Sequence, residues 1–167
     1  PNINIWSEVW GIGNNAIIER VHIKFCKYVL GVKATTPSVF IYGELGRYAC
    51  DVVIKTRLIA YWHKLVNTGE NKLVHGMYKI LRNLYDTDVY RHDWLCFVHN
   101  TLNSCGMSNV WYNNGSSVTT ECLKYSVSCV LKAQFEQTWR ADMENSSKCM
   151  LYKYYKANLG FEKYLLS

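Results

Sequence analysis

CDVVIKTRLIAYWHKLVN, residues 50–67, decides the fold class. Val53/Ile54, Leu58, Tyr61/Trp62 and Leu65 recur at the spacing of one helix face, with polar and charged residues between them. That period describes an amphipathic helix with a buried stripe. Asp51 in the first turn suits the positive end of the helix dipole.

Working outward, the same period returns in AIIERVHIKFCKYVL, residues 16–30. Ile17, Val21, Phe25 and Tyr28 share one side, with Ile18 and Val29 beside them, while Arg20, Lys24 and Lys27 form a separate basic stripe. Gly31 stands where a helix C-cap is expected. Thr36 can cap a short helix with Pro37 at its first position, running to about Gly43. Further helices are expected over 71–85, weakened by Gly76, over 92–105, over 119–142 and over 146–158. SVFIY, residues 38–42, is the one stretch with any strand-like alternation. The fold class is all-α: a multi-helix bundle of about five to seven helices with no substantial sheet. SNVWYNNGSSVTT, residues 108–120, is polar and turn-rich, so an internal boundary or insertion is expected near 106–118.

A chain of 167 residues can bury a real core in one domain or two small helical lobes. Apolar residues make up 49% and charged ones 19%, a globular rather than disordered balance. Only two prolines occur, which favours long helices. The net charge of +6 suits a polyanionic partner, and equally serves as solubilising charge. Seven cysteines, an odd number without a Cys-x-x-Cys pair, point to reduced thiols and an intracellular location. The sequons at Asn114 and Asn145 are too common by chance to argue for secretion. No apolar run approaches the roughly 20 residues of a membrane span, so no membrane partner is expected. The opening PNINIWSEVWG carries no signal peptide and no Met, as in a cut inside a longer protein.

FIYGELGRYAC, residues 40–50, raises the question of chemistry. A phosphate loop needs more glycines and a Lys-Ser/Thr, or a preceding strand, and this stretch has neither. Gly43, Glu44, Gly46 and Arg47 read instead as a structural corner where helices approach closely, with Glu44 and Arg47 facing each other three residues apart. Asp86-Thr87-Asp88 could hold Mg²⁺, but it follows a helix and reads as a solvated turn. His92, Cys96 and His99 fall on one helical face and could offer ligands to zinc; no second ligand pair accompanies them, and no metal or other cofactor is expected. His22 and Cys26 share a face in the same way and read as packing. No nucleophile elbow, Cys/His signature or aromatic-x-Asp-Asp segment is present, so neither catalytic residues nor a small-molecule substrate are expected.

Basic residues interleaved with aromatics are the best functional feature. Arg20, Lys24, Lys27 and Lys33 gather around the first helix, and Arg47, Lys55 and Arg57 around the corner. Lys148, Lys153, Lys156 and Lys163 accompany Tyr152, Tyr154, Tyr155 and Tyr164. Backbone contact and base stacking require such a mixture, and a solvated helix face produces the same pattern.

IWSEVWG at 5–11, IIERVHIKFCKYVLGVKATTPSVFIYGELGRY at 17–48, RLIAYWHKLVN at 57–67 and QTWRADMENSSKCMLYKYYKANLGFEKYL at 137–165 together resemble one protein type. They are similar to the region after the polymerase domain in reverse transcriptases of non-LTR, LINE-type retrotransposons. The likeness runs in order over nearly the whole chain and is weakest at 86–118. Its most specific blocks are Lys24–Lys27, Leu30–Lys33 and Tyr42–Tyr48. The family continues with Pro-Leu where this chain has Ala49-Cys50, which implies a shifted helix start there.

The resemblance implies that the catalytic carboxylates lie upstream, so that this chain is not an enzyme by itself. Residues 1–33 would be a thumb-like segment and 34–167 a helical C-terminal extension. The implied role is gripping template RNA or target DNA for the upstream polymerase domain of the same polypeptide. The alternative is a helical protein-interaction or scaffold module without a nucleic-acid role.

Overall fold

The computed structural model describes residues 15–69 and 72–166. Among them are eight α-helices: α1 (Ala16–Val29), α2 (Ser38–Leu45), α3 (Cys50–Val66), α4 (Leu73–Asp86), α5 (Asp93–Ser104), α6 (Ser108–Tyr112), α7 (Thr120–Asn145) and α8 (Tyr152–Tyr155). The described residues contain no strand, only an isolated antiparallel bridge between Leu45 and Phe161. The protein is all-α, and six of its helices have seven residues or more. The chain divides into two compact units, one built on Val53–Leu131 and one joining Asn15–Val52 to residues 132–167.

In the Val53–Leu131 unit, the stripe read from α3 supplies Ile54, Leu58 and Trp62, all fully buried, and Ile59 joins them. Leu95, Val98 and Leu102 from α5, Val110 and Trp111 from α6, and Leu123 and Val127 from α7 complete the core. Trp111 is its aromatic hub. Trp62 stacks on it at 5.6 Å between ring centroids and His99 at 4.9 Å, while Tyr85 meets it edge-on. The Arg82 guanidinium lies 3.8 Å from the centroid of a Trp111 ring. Trp62 Nε1 donates to the Tyr78 hydroxyl. Buried His63 uses both ring nitrogens, Nε2 toward the Gly115 carbonyl and Nδ1 toward the Thr120 hydroxyl, and so ties α3 to the start of α7. The polar stretch 106–118 thus carries a short helix whose Val110 and Trp111 are buried.

In the other unit, Val39 of α2 packs with Trp139 and Met143 of α7 and with Cys149. Trp139 Nε1 donates to the Val39 carbonyl at 2.9 Å. SVFIY is helical because both of its sides find apolar cover: Val39 and Ile41 are buried, and Phe40 and Tyr42 pack on Tyr152 and Phe135. The helix expected over 146–158 is broken into a 3₁₀ turn at Ser147–Cys149 and the four-residue α8. Burying Cys149 and placing Tyr152 against Phe40 draws this segment onto the core in a way a straight helix would not provide. In α1 the apolar stripe Ile17, Val21, Phe25 and Tyr28 is exposed, and Cys26 is the one fully buried side chain of that helix.

Gly46 caps α2 in the left-handed region, with φ 57°. A Cβ there would lie 2.3 Å from the backbone nitrogen of Phe161, on the strand-like bridge that closes the unit. Gly76 is in an ordinary helical position with open space around it. Replacing Gly46 by Ala is therefore expected to lower stability by more than about 1 kcal/mol, because strain and a backbone clash add. Gly76→Ala is expected to raise it by up to about 1 kcal/mol. Urea unfolding of both variants checks the pair, and equal effects would contradict the placement of Gly46.

Candidate nucleic-acid interface

Helix geometry puts Arg20, Lys24 and Lys27 on one face of α1. That face is one wall of a groove of about 700 Å³ whose other lining includes Ile23, Tyr28, Val32 and Tyr42. Arg20 and Lys24 are exposed, and among the described residues neither is paired with a carboxylate. Lys27 Nζ donates to the Ala34 carbonyl at 2.7 Å, fixing its ammonium at the groove edge. Glu19 contributes the one acidic side chain of the lining. The groove therefore joins cations, aromatic rings and an apolar wall.

The remaining basic residues do not all behave alike. Lys33, Arg47, Lys148 and Lys153 are exposed on the same unit. Lys153 lies 5.6 Å from the Tyr154 ring. Lys156 is buried: its Nζ donates to the Gly160 carbonyl and pairs with Glu162, which makes it a structural cation. Lys55 and Arg57 are half-buried on α3 in the Val53–Leu131 unit, with Lys55 6.0 Å from the Phe97 ring.

The corner is built differently from the expected Glu44–Arg47 brace. Glu44 Oε1 accepts from the Tyr152 hydroxyl at 2.7 Å, and Arg47 points to solvent. Glu44 Oε2 is buried with no hydrogen-bond partner among the described residues. Gly43 makes this possible, since a Cβ there would sit 2.3 Å from the Tyr152 hydroxyl oxygen and 3.2 Å from the Trp139 ring. The helix starts at Cys50, unshifted from its expected position, and Glu19 Oε2 accepts from the Cys50 backbone N–H at 2.6 Å.

His92, Cys96 and His99 are not brought together. His92 caps α5 by accepting from the Trp94 N–H. The two His99 ring nitrogens meet the Tyr85 hydroxyl and the Asn103 amide. Burial, aided by the Arg82 charge, holds the His99 pKa below its ordinary value. Asp86 is paired with Arg82 and Asp88 with Arg91, so arginines occupy both carboxylates of the Asp-x-Asp turn. Among the described residues, the ligand-type atoms that converge belong to Glu19, His22 and Cys50, all within 4.8 Å of one another. Cys26 Sγ stands 3.6 Å from His22 Nε2. Glu19, His22 and Cys26 are at i, i+3 and i+7 on α1, a spacing visible in the sequence. Their meeting with Cys50 was not, because it depends on how α1 packs on the corner.

Three tyrosines in this unit donate to glutamates: Tyr42 to Glu19, Tyr48 to Glu136 and Tyr152 to Glu44. Burial and then the adjacent carboxylate push the Tyr48 phenol up to about 12, and the same two causes raise Tyr42 and Tyr152. Unfolded tyrosine ionises near pH 10, so the folded chain holds these protons more tightly. The resulting stability is complete below about pH 10 and is lost as pH rises through the folded values. The melting temperature should hold up to about pH 10 and fall as pH rises from there through about 12. It should fall less steeply when Tyr42, Tyr48 and Tyr152 are replaced by Phe, and an unchanged slope would exclude these bonds as its cause.

No described helix is long and apolar enough to cross a membrane. The chain has no significant match to a family model, a curated protein or a solved structure.

Proposed function

We propose that this chain is a non-catalytic, nucleic-acid-gripping portion of a non-LTR retrotransposon reverse transcriptase, working beside a polymerase domain of the same polypeptide. The observation that carries the reading is the α1 groove, where Arg20, Lys24 and Lys27 share one wall with Tyr28 and Tyr42 nearby. Cations can neutralise phosphates and aromatic faces can stack on bases without regard to sequence. The groove lies within the segment whose Lys24–Lys27 and Tyr42–Tyr48 blocks resemble that family. Neither the reading nor the groove requires a cofactor.

A second reading, a helical scaffold that docks another protein surface, is favoured by the exposed α1 stripe of Ile17, Val21, Phe25 and Tyr28. On that reading the cations serve solubility.

The two readings part in a salt titration of binding to single-stranded RNA and duplex DNA. The first expects affinity that falls steeply with salt. Changing Arg20, Lys24 and Lys27 to Ala should reduce the log–log slope by about 2–3, since each neutralised phosphate contributes roughly 0.7–0.9. Their change to Glu should abolish binding. The same reversal at the exposed Lys64, Lys72 and Lys124, outside the groove, should leave affinity within about twofold. Absence of wild-type binding at low salt would overturn the nucleic-acid reading for this chain and favour the scaffold.

A further inference from the structure

We propose that Glu19, His22, Cys26 and Cys50 form a zinc site that pins α1 to the start of α3. Three ligands come from one face of α1, at i, i+3 and i+7, and the fourth comes from the first residue of α3. The Glu19, His22 and Cys50 ligand atoms already lie within 4.8 Å of one another. Cys26 Sγ lies outside that converging trio but only 3.6 Å from His22 Nε2, close to the sulfur–nitrogen separation at a tetrahedral zinc, and a small inward shift of its side chain completes the set.

The donor set has two thiolates, one imidazole and one carboxylate, which selects zinc over the hard cations Ca²⁺ and Mg²⁺. Cys26 is buried and the other three are half-buried, so the site is sheltered but within reach of an ion. Its outer shell is also in place. Glu19 Oε1 accepts from the Tyr42 hydroxyl and Oε2 from the Cys50 N–H. Each carboxylate oxygen keeps a further lone pair for a metal, and such bonds hold a ligating carboxylate in position.

Binding displaces one proton from each thiol to solvent and forms two Zn–S bonds, with no change in oxidation state. With Cys26 drawn in as the fourth protein ligand no position stays open, so the ion is structural rather than catalytic.

Titration of the full chain with Co²⁺ under reducing conditions tests the site. One equivalent should produce the visible bands of a tetrahedral centre and a thiolate-to-metal charge-transfer band, both removed by one equivalent of Zn²⁺. Cys50→Ser and Cys26→Ser should each lose at least tenfold in affinity, while Cys122→Ser and Cys96→Ser should bind as the wild type does. A second measurement needs no variant. Alkylation mapped by mass spectrometry should show Cys26 and Cys50 protected when Zn²⁺ is added, with Cys122 and Cys129 unchanged. Absence of the cobalt bands, unaltered affinity in Cys50→Ser, or equal alkylation with and without zinc would each overturn the proposal.

Discussion

Three hydrogen bonds from tyrosine to glutamate, each 2.7 Å long, brace the unit made of the Asn15–Val52 segment and the C-terminal segment. Two of them cross between the segments, joining residues 88 and 108 positions apart. A phenol donating to a carboxylate makes a short, charge-assisted bond, and such bonds contribute about 1.5–3 kcal/mol where they are sheltered. The surrounding apolar contacts have the same ends. Trp139 reaches Val39 through its indole N–H, and Phe135 receives the edges of Tyr42 and Tyr48. Gly43 and Gly46 are small where they must be, one under the Tyr152 hydroxyl and the other against the Phe161 backbone. Loss of that notch would disturb the polar bonds and the packing together.

The groove and the converging donors use adjoining faces of the same helix. Arg20, Lys24 and Lys27 look into the groove, whereas His22 and Cys26 turn toward the corner, where Cys50 begins α3. Glu19 belongs to both, since it lines the groove and also accepts from Tyr42 and from the Cys50 N–H. A single acidic residue thus anchors α1, caps α3 and sets the local charge beside three cations.

The long helices were legible because their apolar period is strong and their ends carry ordinary signals. α3 and α5 fall within a residue or so of their expected bounds, and Gly31 takes the left-handed conformation expected just past α1. What the sequence hid was tertiary. Val110 and Trp111 sit in a run rich in Asn, Gly and Ser, and local composition outweighed two large apolar side chains. The Trp111 cluster needs Trp62, Tyr85 and His99 from three other helices, which no window reading assembles. The α1 stripe was correct as a pattern, but period alone does not say which face meets the protein. In the site, the basic stripe was legible as a stripe. That Lys156 is buried and that Glu44 belongs to Tyr152 depend on residues brought from far along the chain.

The division of the chain also dictates an order of assembly during synthesis. Val53–Leu131 is one uninterrupted run of sequence, so it can collapse once Leu131 has left the ribosome. The Asn15–Val52 segment cannot do so. Its α2 lacks Trp139, Met143 and Cys149 until the C-terminal segment is made, and its apolar and thiol groups wait uncovered through the emergence of an entire folding unit. Closing so long a loop costs only slightly more entropy than closing a short one, so the delay is one of timing rather than of final stability. A growing chain of this design therefore passes through a stage with half its structure formed and an N-terminal helical hairpin still without its partner, the stage at which a chaperone or a neighbouring domain would have most to offer.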